Sequence, residues 1–537
     1  MQRAGCWWRR RGKPRVYRKD CLGLNRIDLL IIGLYLAGIT LFGLRFRKRQ
    51  RTMRDYFLAD RDIPWWAIAL SIVAAETSTL TIISIPGLAY DSNLTFLQLV
   101  MGYVIGRVII SFVLLPQYFR GELYTAYQLM ERRFGPELRT VTAGLFLLTR
   151  AAAEGVRVYA VSIVVSIALG TGEVASIAII TLLTLIYTFE GGLAAVIWTD
   201  VVQTFIYVGG TLVGLVTILH LVPGGWGSVE TIAGALHKFQ VFDLHGFDLH
   251  GFDLHGFGAA VPAHWPYLNF AKPYTLWAGI IGGAFLTTAS HGTDQLIVQR
   301  LLAARNQRQS ALALLSSGVA VFFQFGLFLF VGVMLFAYYR VPSAVFGRAD
   351  RIYPTFIVSR MPHGIAGLLI AAILAAAMSN LSAALNSLAS SSIVDFYLRS
   401  RARSRPAVSE AGRLRLARLA TVGWALVLFA LAVLALHRVG RVVEVGLQIA
   451  SVAYGALLGV FLLGVLTKRA NQSGAIVGMV CGFAMELYLW RWSQVAFTWW
   501  VAIGTCVTFA VGYAASLLLH PRQNLEPQGT QRSTGGT

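Results

Sequence analysis

The sequence predicts an all-α integral membrane protein with about thirteen transmembrane helices, and three observations carry that prediction. Apolar runs of about 20 residues, long enough for a hydrocarbon core of roughly 30 Å, recur from Asp28 nearly to the end. Charged residues make up only 13% of the 537-residue chain against 56% hydrophobic, and the mean hydropathy is +0.63. A soluble protein of this length would divide into domains with charged surfaces, which this composition excludes. Finally, the basic residues gather into clusters between the runs. Backbone groups in lipid must be satisfied within their own segment, so each run reads as a helix.

The expected spans centre near Tyr35, Leu80, Val108, Ser162, Leu182, Gly210, Gly283, Phe323, Ile373, Ala425, Tyr454, Gly478 and Val507. The net charge of +21 does not point to nucleic acid, because its clusters flank spans. Arg45, Arg47, Lys48, Arg49, Arg51 and Arg54 form one cluster, and Arg399, Arg401, Arg403, Arg405, Arg413, Arg415 and Arg418 another. They read as topology determinants in contact with anionic membrane lipid. Counting Lys and Arg loop by loop puts both clusters inside, the N-terminus outside and the C-terminus in the cytoplasm, with the Arg9–Lys19 segment and the loop of Arg340, Arg348 and Arg351 against the trend. The expected organisation is an extracellular tail over 1–24, a transmembrane domain over 25–520 in the cell membrane, and a cytoplasmic tail over 521–537. Four cysteines show no metal spacing. A long outer loop, about 222–274, holds the tandem repeat Phe242-Asp-Leu-His-Gly, Phe247-Asp-Leu-His-Gly and Phe252-Asp-Leu-His-Gly. Its histidines His245, His250 and His255 suit either metal binding or a repeat expansion in a tolerant loop.

Chemistry is sought where polar residues sit inside spans, since they are costly there. The second span is rich in small and hydroxyl residues over Ala74–Thr81, around one carboxylate, Glu76, and Pro86 and Gly87 follow. A broken helix whose freed carbonyls line a cavity accounts for this segment. A continuous helix packed through small residues, with Glu76 paired to a basic neighbour, is the competing account. The ninth span carries Ser379, Ser382, Asn386 and Ser390 at helical spacing, a face of hard neutral oxygens suited to sodium. Between the fifth and sixth spans, Gly191 and Gly192 suit a tight turn and Asp200 reads as beginning the next helix near its positive end. The seventh span ends in the polar run Ala289-Ser-His-Gly-Thr-Asp-Gln-Leu-Ile-Val-Gln-Arg. In the fourth span Arg157 follows Glu154 by three residues, so the two neutralise each other or Arg157 meets a carboxylate solute.

In this order, these segments resemble the solute:sodium symporter family, in particular its sodium/glucose cotransporter branch. Gly191-Gly-Leu-Ala-Ala-Val-Ile-Trp-Thr-Asp, Gly292-Thr-Asp-Gln-Leu-Ile-Val-Gln-Arg, Thr125-Ala-Tyr with Glu131-Arg-Arg-Phe-Gly, and Thr467-Lys-Arg-Ala-Asn are the specific stretches. The resemblance covers roughly Asp28 to Leu519 and implies a LeuT-type fold, with inverted five-helix repeats over about 63–221 and 275–466 rocking for alternating access. It implies sodium-coupled symport of a small organic solute, and sodium as the coupling ion. By position, the sodium site is made of Ala74 and Thr77 carbonyls with Ala376, Ser379 and Asn380, and Asp200 lies on the inner sodium exit path. Asn380 departs from the family's usual Ser or Thr, though an amide oxygen also ligates sodium.

At the implied sugar contacts Gln448 matches, but Ser290 and His291 replace a stacking Tyr and a Trp, Thr95 replaces a Glu with Gln98 one turn on, and Glu76 replaces Asn or Gln. Without an aromatic platform a pyranose is not supported. Glu76, Thr81, Gln98, Ser290, His291 and Gln448 remain the candidate solute contacts, for a polyhydroxy or cationic solute. Proton coupling through Glu76, a non-transporting sensor and an integral membrane enzyme are the rivals. A tail of under 20 residues after His520 leaves no room for a signalling domain, and no nucleophile–base motif appears in the spans, so no enzymatic role is expected.

Overall fold

The computed structural model describes residues 7–8, 16–17, 24–47, 63–120, 126–187, 193–244, 270–397, 410–436 and 441–519. Its long helices are α1 (Arg26–Arg47), α2 (Trp65–Glu76), α3 (Thr79–Asp91), α4 (Leu97–Val113), α5 (Pro136–Leu169), α6 (Glu173–Tyr187) and α7 (Leu193–Leu221). A π turn, Ala278–Gly282, then leads into α8 (Gly283–Gly292), α9 (Gln295–Leu302), α10 (Gln307–Tyr339), α11 (Ile365–Ser391), α12 (Glu410–Ala435), α13 (Val442–Leu466), α14 (Gln472–Trp492) and α15 (Phe497–Leu518). Every expected span centre lies in one of these helices, from Tyr35 in α1 to Val507 in α15. Among the described residues the only strands are two-residue pieces in the N-terminal tail, Trp7–Trp8 paired with Val16–Tyr17. The Phe-Asp-Leu-His-Gly histidines, the Gly191–Gly192 turn, Thr125, Cys6 and Cys21, and the arginines from Arg399 to Arg405 lie outside the described residues.

Local chemistry sets the helix ends. α5 starts at Pro136, after Gly135 at φ 105°, and stops at Gly170 in the left-handed region, φ 68°. Pro is preorganised for a first helical turn and Gly takes a left-handed cap without strain. Asn306 and Asn471 cap α10 and α14, accepting from Gln309 N at 2.9 Å and Gly474 N at 2.8 Å. α11 has no cap of its own, and the first span supplies one. The buried carboxylate of Asp28 accepts from Gly364 N at 2.7 Å and Gly367 N at 3.3 Å. A Cβ on Gly367 would sit 2.7 Å from Asp28 Cα, so the glycine permits that approach.

Among the described residues, two spans are interrupted. α2 and α3 form one, bent by 62° at Thr77–Ser78. The helix breaks there and continues through Pro86. α8 and α9 form the other, interrupted at Thr293 and Asp294. α9 packs on α2, α10 covers both α2 and α3, and α4 packs along α8. The contact of α4 with the π turn and α8 is made by glycine: a Cβ on Gly102 would lie 2.4 Å from Gly279 O, and one on Gly283 2.3 Å from Leu99 O. α11 packs against α5 and touches α3, bringing the ninth span beside the first break.

Candidate functional site

The first break frees carbonyl groups. Among the described residues no backbone N–H is bonded to the carbonyls of Ala74 or Thr77. Thr81 Oγ1 donates to Glu76 O at 2.8 Å across the break. Thr77 Oγ1 lies 2.7 Å from Val73 O and 2.9 Å from Gln324 Oε1 on α10. Its hydroxyl therefore serves helix packing, and its carbonyl is the group left for a ligand. On α11, Ala376 is buried while Ser379 and Asn380 are half-buried. Intramembrane hydroxyls usually bond back one turn, as Ser387 does to Ala383 O at 2.9 Å and Thr142 to Leu138 O at 2.8 Å. Ser379 and Asn380 make no side-chain hydrogen bond among the described residues, so their oxygens stay available. Asn380 lines a narrow cavity with Ser78 and Thr79 of the break and with Glu154 and Arg157 of α5.

Glu76 is not a lone carboxylate. Its Oε1 accepts from Arg107 Nη2 at 2.5 Å and lies 2.5 Å from His291 Nε2. Arg107 is fully buried on α4 and also donates to Tyr103 O at 3.1 Å and Ser317 Oγ at 3.3 Å. His291 Nδ1 lies 2.9 Å from Ser290 Oγ. The cluster ties the end of α2 to α4 and α8, joining the two broken spans. Sequence reasoning brought Glu76 and His291 to one cavity but passed over Arg107. An ionised acid in a span demands a cation, and Arg107, near the expected centre of the third span, was the signal available. Oε2 of Glu76 is buried without a partner among the described residues.

Three other positions differ from expectation. Gln98 is fully buried and its amide is occupied: Nε2 donates to Thr95 O at 3.2 Å and Tyr274 O at 2.9 Å, and Oε1 accepts from Asp243 N at 3.2 Å. It fastens the outer loop to α4. Asp200 does not begin a helix; it is the eighth residue of α7. Its Oδ2 accepts from Ser71 Oγ at 2.6 Å and from Arg300 Nη2 at 3.2 Å, so a buried ion pair replaces the expected helix-end role. The polar run 289–300 is no simple helix end either. It holds the second break, where Asp294 caps α9 by accepting from Leu296 N at 2.9 Å. Gln448, on α13, is half-buried and has no side-chain partner among the described residues.

The Glu154–Arg157 contact anticipated from the sequence is present at 2.6 Å. Arg157 nonetheless differs from the other intramembrane arginines. The side chains of Arg107, Arg150 and Arg300 are 0, 9 and 6% exposed, whereas that of Arg157 is 34% exposed and faces the cavity shared with Ser78, Thr79 and Asn380. Among the described residues only its Nη1 is bonded, which leaves guanidinium donors open.

Comparison with known proteins agrees with this architecture. The chain is 28% identical to the sodium/sialic acid symporter of Proteus mirabilis (strain HI4320), over 94% of this chain and 98% of that one. It is 27% identical to the sodium/glucose cotransporter of Vibrio parahaemolyticus, over 87% and 86%. A Na+-coupled sialic acid symporter solved in a substrate-bound outward-open state superposes with a TM-score of 0.75 at 28% identity, covering 93% of this chain and 99% of that chain. The profile of the sodium:solute symporter family matches residues 56–482. With its two broken spans and the sequence match along most of its length, the chain belongs to the sodium:solute symporter family, and it is a sodium-coupled transporter of the LeuT type.

Proposed function

We propose that this symporter carries an organic anion, whose carboxylate is received by Arg157 and the hydroxyls of Ser78 and Thr79. The observation that carries the reading is the open guanidinium of Arg157 in the cavity beside the first break. Arg is suited to the task, since its planar fork matches a carboxylate. The start of α3 adds the positive end of a helix dipole and backbone N–H groups. Of the two relatives above, one is named for sialic acid, a polyhydroxy carboxylate, and the other for glucose, which has no charge. Arg157 and the missing aromatic platform at Ser290 and His291 both favour the acid.

Sodium is held, on this reading, by the carbonyls of Ala74 and Thr77 with Ala376, Ser379 and Asn380. It sits beside the carboxylate and offsets its charge, so each favours binding of the other. Thr81, Ser290 and Gln448 form the opposite pole and meet the solute's hydroxyl or amide groups, while Glu76 and His291, engaged with Arg107, hold that pole in place. Gln98 is withdrawn from that set, because its amide is committed to the outer loop. Asp200 acts with Arg300 on the inner side. The chain lies in the cell membrane with its N-terminus outside, so a cysteine at Gly251 reacts with an impermeant reagent from outside and one at Ser404 does not; the reverse pattern overturns the orientation.

The direct test is thermal unfolding of purified protein with sialic acid or glucose, with and without sodium. Sialic acid should raise Tm only when sodium is present, and Arg157→Met should abolish the shift while leaving the unliganded Tm near its starting value. An equal shift with glucose, or a full shift in the variant, rejects the anion reading.

A further inference from the structure

The charges beside the cavity extend further than one ion pair requires. Glu154 Oε1 accepts from Arg157 Nη1 at 2.6 Å and lies 3.0 Å from Arg150 Nη2. Arg150 Nη1 lies 3.5 Å from Asp294 Oδ2. The sequence of contacts is thus Arg157, Glu154, Arg150, Asp294, alternating in sign from the cavity to the second break. Asp294 stands where three elements meet. It caps α9, pairs with Arg150 of α5, and accepts from Tyr454 Oη of α13 at 3.3 Å. Arg150 is buried and its Nε has no partner among the described residues, so its charge is answered by these two acids.

We infer that Asp294 is a positioning residue for the solute site, setting through Arg150 how much of Arg157's positive charge is left for a bound anion. The inference rests on the reading of Arg157 given above. Two guanidiniums compete for one oxygen of Glu154. Asp294 draws Arg150 away from it, which leaves Glu154 to neutralise Arg157. Two arginines and two acids sum to zero. Remove the charge of Asp294 and the group becomes +1, Arg150 takes more of Glu154, and Arg157 is left more strongly positive. In a protein interior, where charges are poorly screened, that change reaches the cavity.

The sign of the effect separates this from a structural role. Asp294→Asn keeps a good N-cap and an acceptor for Tyr454 and removes only the charge. Sialic acid binding, measured by titration calorimetry at saturating sodium, should tighten by roughly threefold to tenfold. Arg150→Met should weaken it by a similar factor, because Glu154 then neutralises Arg157 alone. The double variant restores the zero sum and should return Kd to within about twofold of the unaltered protein. Tyr454→Phe, which changes no charge, should leave Kd unchanged. Weaker or unchanged binding in Asp294→Asn overturns the inference, as does a double variant that fails to restore Kd. Should Arg150→Met not fold, the sign seen in Asp294→Asn decides alone. If Arg157→Met binds sialic acid normally, or if neither sialic acid nor pyruvate binds the unaltered protein, the anion reading fails and this inference falls with it.

Discussion

Of the arginine–carboxylate pairs inside the membrane-spanning region, two contrast sharply in how they are built. Arg107 and Glu76 are sealed. The arginine is fully buried, its three nitrogens are all bonded, and with His291 and Ser317 the pair links four helices. Arg157 and Glu154 sit three residues apart on one helix, and the arginine side chain is 34% exposed to a cavity. A pair that joins helices must be satisfied from all sides, because a buried unpaired charge is very costly. A pair confined to one helix adds little to tertiary structure and can present its cation to a ligand. The same two residue types thus give a joint in one place and, on the proposed reading, a receptor in the other.

The largest effect should come from breaking the joint. Arg107→Met removes the guanidinium that answers Glu76 and leaves the buried carboxylate with His291 alone; it should lower stability by about 3–5 kcal/mol, seen as a large fall in Tm or a loss of folded protein, and a normal Tm would dissolve the distinction. Next comes the receptor. Arg157→Met leaves Glu154 paired with Arg150, so the fold should persist while the affinity for sialic acid falls by a factor on the order of thirty, within the range for losing a charged hydrogen-bonding partner. A parallel collapse of Tm would show that Arg157 too is a joint. Third is Ser379→Ala, which removes a hydroxyl that has no partner to strand among the described residues. It should raise the sodium concentration for half-maximal binding about tenfold, roughly the worth of one charge-assisted contact, with Tm in the absence of sodium unchanged. The smallest is Thr81→Val, which deletes a side-chain bond across the first break and should cost about 1 kcal/mol. An effect as large as that of Arg107→Met would make the break itself the main joint.

Much of this architecture was legible in the sequence. The apolar runs are long and bounded by charge, so every span centre fell in a helix, even though α4 and α6 are short. The first break was legible too, since Ala74–Thr81 offers small and hydroxyl side chains that neither pack on lipid nor hold a helix straight. The contact of Glu154 with Arg157 followed from their spacing on one helix. The Glu76 contact with Arg107 spans 31 residues, and that of Asp200 with Arg300 spans 100. A linear pattern holds no information on which of several intramembrane cations will face a given acid across a helix interface. The partners of Gln98 were not legible for the same reason, since Tyr274 and Asp243 arrive from a distant loop. The second break was hidden because the stretch from Gly283 to Leu302 keeps helix-forming residues on both sides of Thr293 and Asp294, and the cap role of Asp294 emerges only from geometry.

The central claim is that sodium drives an organic anion through the cavity between the first break and Arg157. Uptake of sialic acid into vesicles containing the purified protein tests it most directly, with an inward gradient of sodium or of choline at fixed pH. The account predicts steep accumulation with sodium and almost none with choline. Equal uptake under both gradients would contradict it.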